Sequence, residues 1–251
     1  MNLKVFVSRY NKAIFSIIIL SFIASFSVAR AENSTNVIFS VDSKPYGNSL
    51  PEWSVIWWRW FLAIPQNNHP MNDESGKLCG VNQENQNAWF LTTAGSGTVE
   101  RTCNIPAGKA ILTPVAANEC SYAEFPNLKT EAELRDCAVT GDEVSSIAAS
   151  IDGVAVKDIR KYRIQSPLFN ATLAENNVFG APAGETKAVS DMFVLFLKPL
   201  SPGKHELRLS QTTLDNPTTG TQSFAYDVIY HLNINENTTS LDNPILDKKS
   251  G

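Results

Sequence analysis

The apolar positions of this chain change their period along its length. In residues 50–64, Trp53, Ile56, Trp57, Trp60 and Ile64 recur three and four apart, which predicts a helix. Val55, Trp58 and Leu62 lie off that stripe, so the helix is apolar over most of its girth and is expected to be buried on more than one side. Ser49-Leu50-Pro51-Glu52 reads as a capping box: the serine hydroxyl accepts from the first-turn amides and Glu52 reaches back. Pro51 costs no helical hydrogen bond in the first turn, and Pro65 limits the other end. Thr130 and Glu133 repeat the capping pattern ahead of a short helix over residues 131–137.

Elsewhere the period is two. Segments 36–41, 88–92, 98–105, 110–115, 162–165, 205–210 and 224–234 read as strands. In the last of these, Phe224, Tyr226, Val228, Tyr230, Leu232 and Ile234 share one face. Residues 147–151 and 154–156 flank Asp152-Gly153, a hairpin signal. Residues 192–197 are apolar without interruption and predict a central strand covered on both faces. Residues 66–86 are a long polar connection, and 169–187 read as loop. Many short strands, Pro/Gly turns and few helices predict a mainly β fold: an antiparallel β-sandwich, immunoglobulin-like or jelly-roll-like, with one packed helix.

The first 31 residues change the picture of the ends. Lys4, Arg9 and Lys12 precede an apolar stretch over 13–28, and Ala29-Arg30-Ala31 offers small residues for cleavage, so 1–31 is expected to be a removable signal peptide. The apolar stretch is shorter than the roughly 20 residues of a spanning helix, and no membrane insertion is expected after cleavage. One domain is expected over 32–234, with a polar tail over 235–251. Removing the signal takes away four of the 21 cations and none of the 25 acids. The remaining acidic chain lacks the basic surface that nucleic acids or anionic membranes require, so neither is an expected partner.

Cys79, Cys103, Cys120 and Cys137 all follow the signal, and an even count there predicts two disulfides in an oxidising compartment. Three pairings are possible; short loop closure favours Cys79–Cys103 with Cys120–Cys137. Without a C-x2-C pair, a zinc site is not expected, and neither is a cofactor.

Two resemblances extend this reading. Leu200-Ser201-Pro202-Gly203-Lys204-His205 resembles the Leu-x-Pro-Gly-x-Tyr corner of fibronectin-III-type domains, with His205 where those have tyrosine. That implies an immunoglobulin-like sandwich for the last third. The series Trp53, Trp57-Trp58-Arg59-Trp60 and Ile64-Pro65, then Val99-Glu100-Arg101-Thr102-Cys103 and 105–111, then 199–205, is similar to a family of uncharacterised secreted microbial proteins. It implies export and no particular activity.

Candidate chemistry is sparse. Arg101 shares a face with Val99, Cys103 and Ile105, so it points inward and needs a partner. Glu119 is the expected acid, and an anion-binding arginine is the functional alternative. The tryptophans read first as core and second as a stacking platform, with Trp58 and the helix's one cation, Arg59, as its candidate residues. Among three histidines, His69 falls in a polar loop, His231 on an outward face, and His205 beside Leu207 and Leu209, as a core or binding histidine. Asn72, Asp73 and Glu74 do not match the spacing of a calcium loop. No nucleophile-elbow or metalloprotease motif occurs. The expectation is a secreted or periplasmic, non-catalytic binding protein of the envelope or exterior, with a glycan or envelope component as partner. The alternatives are a polysaccharide hydrolase, which needs two facing carboxylates, and a structural or adhesion component.

Overall fold

The computed structural model describes residues 37–141, 144–215 and 222–236. The expected signal segment and most of the polar tail lie outside the described residues. Ten strands form two sheets: β1 (Ala88–Phe90), β2 (Gly97–Pro106), β3 (Ala110–Ser121), β4 (Val144–Ile151), β5 (Val154–Ala155), β6 (Arg163–Gln165), β7 (Phe169–Leu173), β8 (Gly184–Leu197), β9 (Gly203–Thr213) and β10 (Phe224–Asn235). One sheet runs β1-β3-β8-β6, with β7 also on β8; the other runs β2-β10-β9-β4-β5. The expected sandwich is present, and most pairs are antiparallel. The β1–β3 and β2–β10 pairs are parallel, because the β1 and β2 edges are laid down by distant connections rather than hairpins.

The two sheets differ in how they are covered. The β2–β10 sheet is buried on one face: along β10, Tyr226, Val228, Tyr230, Leu232 and Ile234 enter the inter-sheet core, while His231 is exposed. The β3–β8 sheet is buried on both. Phe193, Leu195 and Leu197 of β8 face the other sheet. Met192, Val194 and Phe196 face helix α1 (Leu50–Leu62). That is why β8 reads as an unbroken apolar run.

The helix begins at the expected cap. The Ser49 hydroxyl accepts from the Glu52 amide, and the Ser49 N–H donates to the Glu52 carboxylate. It ends two residues before the predicted limit. All four of its tryptophans are buried, and three indoles donate to backbone carbonyls: Trp53 to Pro45 (2.8 Å), Trp57 to Leu91 (3.0 Å) and Trp60 to Val81 (3.0 Å). The tryptophans therefore weld the helix to its surrounding loops as well as filling the core. Helix α2 (Glu131–Gly141) starts at the predicted Thr130–Glu133 box and runs past its predicted end. It covers Cys120 and Val189.

Two segments depart from their sequence reading. Residues 169–187 are loop only over 174–183: their ends supply β7 and the start of β8, and the alternation of β7 is carried by the short pattern Phe-Asn-Ala-Thr-Leu. The first predicted strand, 36–41, contributes a single bridge, Ile38 to Leu197. Both disulfides have the pairing that short loops favour, Cys79–Cys103 and Cys120–Cys137. The first fastens the polar connection to the edge strand β2. Beside it the Thr102 N–H donates to the Ser75 carbonyl (3.0 Å), and Gly76, at φ +89°, lies so close that a Cβ would sit 2.4 Å from the Thr102 oxygen. Only glycine fits there.

Candidate functional site

An open groove of about 600 Å³ lies between the exposed flank of α1 and the stretch that leads into β7. Ile56, Leu168 and Phe169 give it apolar surface; Arg59, Lys187 and Asn170 supply polar groups. Like Glu52, Arg59 is an exposed residue on a helix otherwise largely buried, because its position faces away from the sheet. Its Nε donates to the Asn170 carbonyl (2.9 Å), which ties the helix to β7. Beyond that tie, a smaller depression of about 260 Å³ continues along Ala63, Thr172 and Glu185. At the other end Glu52 is held by the Ser49 amide and hydroxyl, both at 2.7 Å, and these bonds lower its pKa. Glu52 is the carboxylate among the residues lining the larger groove.

The sequence candidates are scattered rather than convergent. Arg59 lines the groove. Trp58 does not: it is only 3% exposed, packed edge-on against Trp57 and Phe61. A stacking platform built on Trp58 is therefore excluded by burial, and the tryptophans are core.

Arg101 is inward, as its register required, but its partner is not Glu119. Its Nε donates to Asp73 O (2.6 Å), Nη2 to Met71 O (2.9 Å), and Nη1 to the Tyr230 hydroxyl (2.7 Å) and Thr93 O (3.1 Å). The guanidinium also lies 5.5 Å from the Tyr230 ring centre. The charge is solvated by carbonyl dipoles, those of Met71 and Asp73 coming from the polar connection, which it pins onto the inter-sheet core. Glu119 cannot reach it. The register of β3 shifts between Pro114 and Ala116, and this bulge turns the odd-numbered residues beyond it to the α1 side of the sheet. Arg101 and Glu119 thus stand on opposite sides of the β3–β8 sheet. Glu119 is buried there, with the Glu124 carboxyl and the Ser121 hydroxyl beside it. Burial and neighbouring Glu124 push its pKa up, so it is held as the neutral acid.

His205 is half-buried rather than core. Its Nδ1 lies 2.8 Å from Asp152 Oδ2 and its Nε2 lies 2.9 Å from Ser201 O. The second contact reaches back four residues along the corner, so the histidine supplies the hydrogen bond for which the resembled corner uses tyrosine. Ser201 Oγ lies 3.3 Å from Nε2. That Asp-His-Ser proximity is a structural clamp between the β4–β5 turn and the corner, since the serine's own carbonyl occupies the nitrogen a general base would need.

Asp73 is committed too: its carboxylate accepts from the Ser75 and Leu78 amides. His69, read as a loop residue, is fully buried against Phe61, with ring centres 4.2 Å apart. The Met71 N–H donates to Nδ1, so Nε2 carries the proton and donates to Phe61 O (3.1 Å). Desolvation, with Arg101 nearby, lowers its pKa to about 4. What sequence reasoning missed was β7 and Lys187. The one available signal was the Phe-Asn-Ala-Thr-Leu alternation, hidden in a stretch whose Gly180, Pro182 and Gly184 read as loop.

No known family model matches the sequence, and no curated protein matches it. Among solved structures the chain is similar to PbICP-C in complex with falcipain-2, at 13% identity over 58% of this chain and 98% of that one, TM-score 0.24. It is also similar to Amebosin in solution, at 10% identity over 57% and 100%, TM-score 0.14. Likenesses this shallow carry no argument about function.

Proposed function

We propose that this chain is a secreted, non-catalytic binding protein whose ligand lies in the groove between α1 and β7, and that the ligand is an acidic saccharide. The observation that carries the reading is the pair of cations, Arg59 and Lys187, lining one groove with apolar surface from Ile56, Leu168 and Phe169. Cationic donors suit a uronate carboxylate, while the apolar strip suits the faces of sugar rings. Two disulfides within one sandwich support an oxidising, extracytoplasmic setting. No helix among the described residues is long and apolar enough to cross a membrane. The hydrolase alternative needs a second carboxylate facing Glu52 across the groove, and the lining residues supply none. Titrating the protein calorimetrically with oligogalacturonate and with a neutral oligosaccharide tests the proposal. Binding of the acidic ligand alone is expected, weakened roughly 10- to 100-fold by Lys187→Ala. Equal binding of both ligands, no binding, or an unaffected Lys187→Ala variant would overturn it.

A further inference from the structure

On the opposite side of α1 from solvent, the β3–β8 sheet holds a buried polar cluster that hydrogen bonds satisfy only in part. Glu119 of β3 and Ser190 of β8 are direct cross-strand partners, and side chains in that relation start about 5 Å apart. They lie on the same face as Ala188, Met192 and Val194, which pack toward α1. Glu119 is 5% exposed and Ser190 1%. The Ser190 hydroxyl lacks any partner, and Glu119 has only the neighbouring Glu124 carboxyl and Ser121 hydroxyl beside it. Two residues along β3, the Ser121 hydroxyl donates to Glu124 Oε2 (2.6 Å), which brings a second carboxylate to the cluster. Glu124 is partly exposed and gives the cluster a side open to water.

Buried polar atoms without partners are rare, because each costs about 1–3 kcal/mol. Two carboxylates and a hydroxyl, all oxygen ligands of the hard type, are gathered on this face of the sheet. We propose that Glu119, Glu124 and Ser190 form a binding site for one divalent cation of the calcium class. A double charge matches two carboxylates, so the occupied cluster is neutral and the desolvation of Glu119 is offset by direct coordination. Calcium takes six to eight oxygens in loose geometry, and water can complete the shell from the Glu124 side. The cluster contains no imidazole or thiolate, which a zinc-class ion would favour. The site is separate from the groove and stands or falls independently of the proposed saccharide.

The test uses the full chain, treated with EDTA and desalted, with calcium chloride as the probe. Isothermal calorimetry is expected to show one cation per chain, and the thermal midpoint to rise with calcium. Glu119→Gln keeps the side chain's shape and is expected to weaken calcium binding at least tenfold, with its unfolding curve in EDTA still cooperative. Should that variant not fold, Glu124→Gln, at the water-facing side, is expected to give the same loss. No calcium heat and no midpoint shift in the wild type would overturn the site and leave Glu119 a buried neutral acid. So would calcium binding that survives these substitutions.

Discussion

Arg101→Met is the sharpest test of how this fold is held. Methionine keeps the apolar stem and removes the guanidinium. The carbonyls of Met71, Asp73 and Thr93 and the hydroxyl of Tyr230 then lose donors at 2.6–3.1 Å. The Asp73 carbonyl is the most deeply placed, since Arg101 is only 2% exposed and that bond is buried. Each orphaned buried acceptor costs about 1–3 kcal/mol. Removing the guanidinium also recovers part of its own desolvation cost, so the net loss is about 3 kcal/mol rather than the sum. Arg101→Lys is expected to lose nearly as much, because one ammonium cannot span Met71, Asp73 and Thr93 as the planar fork does. Urea unfolding with the disulfides oxidised measures the effect. The m-value should hold, because the same surface is exposed on unfolding. A midpoint for Arg101→Met equivalent to less than about 0.5 kcal/mol of change would refute the claim that this arginine pins the polar connection.

Two further outcomes are expected. Trp57→Ala should cost roughly 3–5 kcal/mol in chemical denaturation, and Trp57→Phe appreciably less, the remainder being the lost bond to the Leu91 carbonyl; wild-type stability in the alanine variant would deny the helix its core role. His69 titrates near 4 in the fold against 6.5 when unfolded, so the unfolded chain takes up the extra proton between those values. Its contribution is full above pH 6.5, is lost as pH falls toward 4, and amounts to about 3 kcal/mol. Glu119 acts the other way, since its raised pKa costs stability as pH rises above its unfolded value. Stability curves between pH 4 and 7 should be flatter on the acid side for His69→Gln than for the wild type, and identical slopes would refute the assignment.

Much of the fold was legible because its signals are local. The Ser49–Glu52 box, the three- and four-residue spacing of Trp53, Trp57 and Trp60, and the alternation of 224–234 each follow from a few adjacent residues. So does Asp152-Gly153, whose two positive φ angles make the tight turn. Short loop closure even favoured the observed disulfides. The candidate site was less legible. Lys187 and Asn170 meet Arg59 only because β7 is carried to the helix by β8, and 169–187 has little local signal of its own.

The sequence by itself determined which residues are apolar, where helices start and which strand faces are inward, since caps and periodicity are properties of neighbouring residues. The tertiary structure alone decided what those faces meet. The bulge between Pro114 and Ala116 sends Glu119 to the helix side, away from Arg101. Packing hides Trp58 from any ligand and buries His69 from a polar stretch. The physical reason is that burial and partner choice depend on contacts between distant segments. A shift of one residue in register reverses them without changing a letter of the chain.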